Sequence, residues 1–417
     1  MNSHDTVAHQ FRHSYGAMVA TLTNRFGIYH LHDIEDVVQE ALLKAMKIWP
    51  FKGVPDNPQA WLITTARNAL IDKFRSDQRK RNTLLNQQSS LEPIDPTIHE
   101  TIDDDQLQLM FMCCHPDLSE SSQIILTLKL VAGFGNREVA AALFRKEDAV
   151  AKAYTRAKKK IQDEEIELIK PIEIGLSSRL HIVLKIIYLI FSEGYRTHAG
   201  KEPLKKDLCY EAIRLALLLA KNKHCHRPNV HALIALMCFH ASRFETRVDE
   251  DGCLIDLEHQ DRSSWNQELI NIGRVYLGKS TSGSTMPTDY LFQALISYHH
   301  CKAKIYAETD WREILALYDL ELEKRYTPVV ALNRIVPMMM AHGPQTGLDS
   351  LMAFENQNNN LRNALYYAIK ARLHENTHEI AEAIASYSQA ILLSDNAAEK
   401  KYLILRRGAL VQDFPNI

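Results

Sequence analysis

The sequence predicts an all-α protein, with two small helical domains followed by a longer C-terminal domain of repeated helices. Apolar residues recur at the spacing of an α-helix along almost the whole chain, whereas the alternation typical of a β-strand is nearly absent. Basic and acidic residues are segregated, which separates two basic helical segments from a long part of mixed charge. The 417 residues, 46% of them hydrophobic, provide for two or three domains with cores of their own.

Composition also predicts the compartment. The chain contains no stretch of about 18 uncharged apolar residues, and its first residues, MNSHDTVAHQFRHSYG, lack the basic segment, apolar run and cleavage site of a signal peptide. The seven cysteines are an odd number without a regular spacing, which is typical of reduced thiols. We therefore expect a cytoplasmic protein without a membrane partner.

A first amphipathic helix is predicted in DIEDVVQEALLKAMKIW. Its apolar stripe, expected to be buried, consists of Ile34, Val37, Val38, Ala41 and Ala45. The face expected to be exposed carries Glu35, Asp36, Gln39 and Leu43. Such a face is usually just solvated, and from the residues alone this interpretation stays open beside a binding role.

A second helix, AWLITTARNALIDKFRSDQRKR, follows Asn57 and Pro58, which are typical residues for a helix start. The residues expected to pack inward are Ala66, Ala69 and Leu70, which leaves Arg67, Asn68, Lys73 and Arg75 to project. From Trp61 to Arg81 the segment has six basic and two acidic residues, in a chain whose net charge is only -2. This concentration of positive charge predicts a negatively charged partner.

An acidic flexible linker is predicted over residues 82–104. Residues 82–120 contain eight aspartates or glutamates and no lysine or arginine, and NQQSSLEPIDPT has the composition of a linker.

Residues 105–170 have the layout of a helix-turn-helix domain. SSQIILTLKLVAG is followed by a break at Gly133 and Gly135, by the short helix NREVAAALF with Asn136 as its N-cap, and by the basic helix KEDAVAKAYTRAKKKIQ. Short helices around a glycine-bearing turn, with a basic last helix, are typical of proteins that enter the major groove of DNA. Two basic domains on one tether predict contacts with two sites of a duplex, whose phosphates would be the negative partner.

These segments resemble a known family. IEDVVQEALLKAM and NPQAWLITTARNALIDKFR resemble region 2 of sigma-70-type RNA polymerase sigma factors of the extracytoplasmic-function (ECF) group, and LTLKLVAGFGNREVAAALFRKEDAVAKAYTRAKKKI resembles their region 4. The segments FMCCHPDL, FSEGY, RLALLLA, RVDEDG, HQDRSSW and HGPQTGL resemble the subgroup with a large C-terminal helical extension. The sequence departs from the family at His342 and His259, where aspartate is usual, and at Ala149 and Ala153 on the recognition helix, where polar residues are usual.

The resemblance implies a sigma factor that binds core RNA polymerase and directs promoter recognition and transcription initiation, with no catalytic residue, metal or cofactor. It assigns residues 1–81 to region 2 and residues 105–170 to region 4. The residues implied to dock on the clamp helices of the largest polymerase subunit are Asp36, Gln39 and Leu43. Region 4 would contact the flap of the second subunit.

Promoter DNA, as a duplex and as a melted strand, is the second implied partner. In region 2 the implied contacts are Asp56, Asn57, Trp61, Arg67, Asn68, Lys73 and Arg75, with a flipped base near Asp56 and Asn57. For Trp61, base stacking and core packing both remain open. In region 4, Lys146, Lys152 and Arg156 would read the distal element, while Lys158, Lys159 and Lys160 would hold the backbone.

The C-terminal extension, residues 171–417, shows a weak repeat. AETDWREILALYD, AHGPQTGLDSLMA and HENTHEIAEAIASYSQA align on Leu315, Leu348 and Ile384, at spacings close to the period of tetratricopeptide-type helix pairs. This predicts a solenoid-like domain with repeats from about residue 288, able to bind a protein partner and to regulate regions 2 and 4 in cis. The polar insert RVDEDGCLIDLEHQDRSSW is either an inter-domain contact or an inserted loop.

Three motifs contain histidine beside other potential metal ligands. HENTH, residues 374–378, fits the zinc-protease pattern H-E-x-x-H, but it falls at an expected turn between two helices, which would separate its two histidines. CCH at 113–115 and HCH at 224–226 lack a second pair of ligands and are expected to be structural. Two alternative functions stay open: a stand-alone helix-turn-helix regulator with a sensory repeat domain, and, more remotely, a zinc hydrolase that uses HENTH.

Overall fold

The computed structural model describes residues 3–81, 98–143, 145–164, 166, 173–195, 204–250, 252–282, 287–358 and 361–414. For 3–13, 77–81, 98–104 and 173–177 it describes the backbone alone. Over the described ranges the chain forms eighteen α-helices and no β-strand, and a single bridge joins Val248 to Leu254. The prediction of an all-α protein is confirmed.

The chain divides into two compact units. The first consists of Met1–Ile190 together with Arg214–Cys225, and the second of Phe191–Ile213 together with His226–Ile417. Helices α8 (Glu173–Tyr195) and α9 (Lys206–Lys221) each contribute residues to both units. A boundary at residue 170, as expected from the sequence, would therefore cut two segments, residues 171–190 and 214–225, from the first unit.

The first unit begins with a bundle of three helices, which are α1 (Ser3–Phe26), α2 (Leu31–Lys52) and α3 (Pro58–Arg81). The predicted apolar stripe of α2 is buried, since Ile34, Val37, Val38, Ala41 and Ala45 are each at most 2% exposed. From α3, Leu62, Ala66 and Leu70 complete this core. Helix α2 ends at Gly53, whose φ of 81° suits glycine and whose N–H donates to the carbonyl of Trp49.

Helix α4 (Ile98–Cys113) begins inside the predicted linker. Residues 98–104, expected to be flexible, form its first two turns, and residues 82–97 lie outside the described ranges. The helix packs on α1, where the amide of Asn24 donates to the carboxylate of Asp105 at 2.8 Å. Helical spacing cannot predict this contact, because the partners are 81 residues apart.

Three helices follow at the predicted positions: α5 (Glu120–Leu130), α6 (Asn136–Ala142) and α7 (Glu147–Asp163). The expectation that Asn136 caps α6 is wrong, because its side chain accepts a hydrogen bond from Lys129 at 2.9 Å. The N-cap is Gly135, whose N–H donates to the carboxylate of Glu138 at 3.0 Å. Helix α1 approaches the end of α5 closely, since a Cβ on Gly16 would lie 2.0 Å from the carbonyl oxygen of Val131.

The second unit continues with α10 (Pro228–Ala241), α11 (Gln267–Thr281) and α12 (Asp289–Lys302), followed by three helix pairs. The pairs are α13 (Trp311–Lys324) with α14 (Pro328–His342), α15 (Pro344–Gln357) with α16 (Ala364–Asn376), and α17 (Ile380–Leu393) with α18 (Ala397–Asp413). The first helices of the pairs begin at residues 311, 344 and 380, that is, 33 and 36 residues apart. The aligned segments of the sequence therefore correspond to equivalent helices.

The polar insert lies between α10 and α11 and folds as a loop of the second unit. Arg262 is buried and donates to the carbonyls of His300 and Ala303 and to the hydroxyl of Thr309. Two further contacts join the insert to the helix pairs: Arg372 of α16 to Glu258 at 2.7 Å, and Tyr402 of α18 to Asp256 at 2.8 Å. These contacts favour the inserted-loop interpretation and give its polar residues a structural role.

Two histidines of the second unit, His240 and His300, are enclosed close to arginines. Burial, followed by the charges of Arg243 and Arg262, lowers the pKa of His300 to about 3, and burial also lowers the pKa of His240. In the unfolded chain both would titrate near pH 6.5. As the pH falls below that value, the unfolded state takes up protons that the folded state does not.

We therefore expect the free energy of unfolding to fall below pH 6.5, by about 1.4 kcal/mol per pH unit for each such histidine. Urea unfolding at pH 7.5, 6.5 and 5.5 measures the slope. His300→Gln should reduce the slope, whereas His342→Gln, at an exposed position of the same unit, should leave it unchanged. Equal slopes for the two variants would contradict the expectation.

Candidate nucleic-acid interface

One face of α2 and the loop after it expose apolar side chains. Leu43 is 55% exposed, Met46 53%, and Phe51 and Val54 at the helix end still more. Gln39 is exposed on the same side of the helix. The sequence predicts exposure of Gln39 and Leu43 but not of Met46, Phe51 and Val54. For Phe51 and Val54 the signal was the apolar pair in FKGV beside Gly53.

Asp36, predicted to bind polymerase, is half-buried and ion-paired. Lys73 of α3 places its Nζ 3.1 Å from Asp36 Oδ2 and 2.7 Å from Asp33 Oδ1. The hydrogen bond to Asp33 is the main cause that raises the pKa of Lys73. The structure thus joins a residue expected to bind polymerase to one expected to bind DNA.

The loop before α3 exposes both residues predicted to receive a base. Asp56 and Asn57 are exposed, and the Asn57 side chain accepts a hydrogen bond from the N–H of Ala60 at 3.0 Å, as an N-cap does. Trp61 is half-buried and packs edge-to-face on Trp49, with ring centroids 5.6 Å apart. This contact favours packing as the role of Trp61.

Along α3 the predicted DNA contacts differ in exposure. Asn68 and Arg75 are exposed, and Arg75 lies 3.7 Å from Asp72. Arg67 is half-buried, and burial lowers the pKa of its guanidinium. The side chains of the basic tail, residues 79–81, lie outside the described part of the structure.

Helix α7 presents a basic face. Lys152, Arg156 and Lys159 are exposed and follow one another at helical spacing, and Lys146 at the N-cap is exposed as well. The opposite face of α7 is buried through Val150, Tyr154, Ala157 and Ile161. An exposed row of long cationic side chains on a helix fixed from behind suits contact with phosphates and base edges.

Lys158 does not belong to this exposed row. Its Nζ lies 2.8 Å from Oε2 of Glu35 on α2, and its side chain is 23% exposed, against 73% for Lys159. The expectation that Glu35 lies on the exposed face of α2 is wrong, because the residue is 8% exposed. Its burial is compensated by Lys158 and by the hydroxyl of Tyr154, which donates to Oε1 at 2.6 Å.

The geometry of HENTH does not suit a zinc site. Helix α16 ends at Asn376, and His378 has a φ of 62° in the turn that leads to α17, so the two histidines do not share a helix. His374 instead contacts the carboxylate of Glu379 at 2.5 Å. Among the described residues, no group of three or more histidines, cysteines or carboxylates is placed to hold a metal ion.

The other two motifs contribute to cores. Cys113 and Cys114 are buried, and burial raises the pKa of the Cys114 thiol to about 12. In the HCH motif Cys225 is buried, and His226 packs edge-to-face on His231 with their Nε2 atoms 3.3 Å apart. Within the part of the chain that the structure describes, no helix is long and apolar enough to cross a membrane.

Comparison with known proteins gives two family matches and one relative. Residues 11–80, which cover most of α1 to α3, match sigma-70 region 2, and residues 179–281 match a family of unknown function (DUF6596). The chain is 34% identical over 378 residues to the uncharacterized protein R00370 of Rhizobium meliloti (strain 1021), and the aligned segment covers 88% of each chain. No solved structure matches the chain. The chain therefore belongs to the family of this Rhizobium meliloti protein, and its N-terminal helical domain is a region 2 of the sigma-70 family.

Proposed function

We propose that the chain is an ECF-group sigma factor, which binds core RNA polymerase through α2 and promoter DNA through α3 and α7. The match of α1 to α3 to sigma-70 region 2, a non-enzymatic domain of promoter recognition, is the observation that carries this proposal. The exposed basic face of α7 supports it, since a second DNA-contacting helix is what a factor that reads two promoter elements requires.

In this proposal Gln39 and Leu43, with Asp36 beside them, form the surface that docks on the clamp of the largest polymerase subunit. An exposed leucine next to exposed polar residues is suited to such an interface, because burying its apolar surface favours binding. Met46 continues the apolar surface by one turn. When polymerase binds, Asp36 would leave Lys73 and form an ion pair with a cationic side chain of the polymerase.

The loop after α2 and the exposed side of α3 would hold the melted promoter strand. Extruding a base costs a few kcal/mol, which stacking and phosphate contacts must offset. Phe51, the most exposed aromatic residue described, lies five residues before Asp56 and supplies a stacking surface. Asn68 and Arg75 would contact the strand from α3, and Trp61, packed on Trp49, would support the loop.

Helix α7 would read the distal promoter element as part of a region 4 that also contacts the flap of the second polymerase subunit. Lys146, Lys152 and Arg156 are exposed and free to reach base edges, and Lys159 is placed to hold a phosphate. The C-terminal helix pairs would regulate these DNA-binding helices in cis, because tethering gives them an effective concentration near millimolar. A concave surface formed by such pairs is also suited to bind a protein partner.

Loss of the apolar contact on α2 should weaken polymerase binding. We expect Gln39→Ala with Leu43→Ala to reduce affinity for core enzyme about tenfold, the cost of truncating interface residues by 1 to 2 kcal/mol. Thermal melting should not change, since both side chains are exposed. Leu320→Ala on α13 is the matched control, at 52% exposure. Unchanged affinity in the double variant would contradict the docking surface and favour a stand-alone regulator.

Two substitutions on α7 separate base from phosphate contacts. Arg156→Ala should cost about 1–3 kcal/mol of binding free energy and relax the base preference at one position. Lys159→Ala should weaken binding to all DNA sequences alike and reduce the salt slope of binding by about 1. Lys304→Ala, at an exposed lysine of the second unit, controls for net charge. Binding to a promoter library at several salt concentrations measures both effects. A change of base preference with Lys159→Ala alone would reverse the two roles.

Removal of α10 to α18, which include the helix pairs, should change promoter output. A chain that ends at Cys225 keeps the whole first unit, which a cut at residue 170 would not. With purified core polymerase we expect it to differ severalfold from the full-length chain in transcript yield, in either direction. Circular dichroism checks that the shortened chain is folded, and equal yields from the two chains across several salt concentrations would argue against regulation in cis.

A further inference from the structure

Glu35 is a buried carboxylate whose two oxygens are both engaged. Oε2 accepts from Lys158 at 2.8 Å, and Oε1 accepts from Tyr154 at 2.6 Å and, more weakly, from Tyr15 at 3.4 Å. Glu35 belongs to α2. Tyr154 and Lys158 belong to α7, 119 and 123 residues later in the chain. This carboxylate therefore joins the helix expected to bind polymerase to the helix expected to bind DNA.

Lys158 is turned away from the side of α7 that its neighbours present to solvent. Besides the ion pair, its Nζ lies 4.6 Å from the centre of the Tyr154 ring, on which Lys129 also rests at 4.9 Å. Burial, together with the charge of Glu35, raises the pKa of Tyr154, so its hydroxyl keeps its proton and donates to the carboxylate. A carboxylate that accepts from a lysine and a hydroxyl offers the same kind of contact as a DNA phosphate.

A second lysine is held in a similar way. Lys73 of α3 contacts Asp33 at 2.7 Å and Asp36 at 3.1 Å, on the same turn of α2 as Glu35. The short acidic segment Asp33–Asp36 thus pairs one lysine from each of the two helices expected to contact DNA. The contact to Lys158 is the less exposed of the two, since Glu35 is 11% exposed at its side chain and Asp36 43%.

We propose that Glu35 is an internal competitor of DNA, which occupies Lys158 in the free chain and holds α7 against α2 until a phosphate displaces it. This inference rests on the proposed function, because it takes α7 as a DNA-binding helix. Its consequence is that DNA must break the ion pair between Glu35 and Lys158 before this lysine can contact a phosphate, which lowers the affinity of the chain for DNA. Asp36 lies on the same turn of α2 and belongs to the proposed polymerase surface. Docking of polymerase on this turn would therefore affect the release of Lys158 from Glu35.

The test compares Glu35→Gln with Glu40→Gln, an exposed glutamate on the same helix, so that both variants change the net charge equally. Binding of each full-length chain to a 30-base-pair duplex of random sequence is followed by fluorescence anisotropy at several salt concentrations. We expect Glu35→Gln to bind about fivefold more tightly than Glu40→Gln at each salt concentration, because Lys158 no longer has to leave a carboxylate before it contacts a phosphate. The difference should vanish when Lys158→Gln is added to each variant. Equal binding by the two single variants would overturn the proposal.

A second measurement needs neither DNA nor a folded Glu35 variant. Brief acetylation of the wild-type chain, read by mass spectrometry, should modify Lys158 several times more slowly than its neighbour Lys159. Equal rates would overturn the contact with Glu35 and with it the proposal. Slow modification of Lys158, together with no duplex binding by any variant, would instead refute the proposed DNA-binding function. The competitor role would then be refuted for that reason alone, although the contact with Glu35 is present.

Discussion

Helix α2 is the element on which the rest of the first unit depends, because successive residues of an α-helix point in directions about 100° apart. Its apolar stripe fills the core of the three-helix bundle, Glu35 meets α7, and Asp33 and Asp36 meet α3. The remaining direction carries Gln39 and Leu43 into solvent. One helix therefore fixes the bundle, contacts both helices expected to bind DNA, and still presents a free surface.

The buried charges of the first unit follow a simple rule of compensation. A carboxylate loses hydration when it is buried, and it is stable there only with donors at both oxygens. Tyr154 and Lys158 supply these donors to Glu35. In the second unit Arg262 follows the same rule with the opposite charge, since it is buried and donates to two backbone carbonyls and a hydroxyl. These contacts give the polar residues of the insert a structural role.

The sequence predicted most of the helices but not their contacts. The stripe of α2, the turn around Gly133 and the regular starts of the helix pairs each depend on residues close in the chain, where helical spacing and turn residues suffice. The exposure of Glu35 was predicted wrongly because its two closest partners, Tyr154 and Lys158, lie more than 100 residues away. The beginning of α4 at Ile98 was missed for a related reason, since composition indicated a linker while packing on α1 favours a helix. The exposed Phe51 shows the converse case, because apolar composition alone does not reveal which apolar residues remain in solvent.

The candidate site residues show the same difference between what the sequence predicts and what only the fold determines. Their presence on α2, α3 and α7 could be predicted from charge and spacing, but their pairing could not. Lys73 and Lys158 look identical to Lys152 and Lys159 in the sequence, and only the fold brings the first two against carboxylates of α2. In the proposed function this pairing has a thermodynamic consequence. If DNA must displace Glu35 from Lys158, any ligand of α2 that shifts Glu35 changes the affinity for DNA, and DNA changes the affinity for that ligand by the same factor. Polymerase and promoter would then favour each other's binding through a single turn of α2.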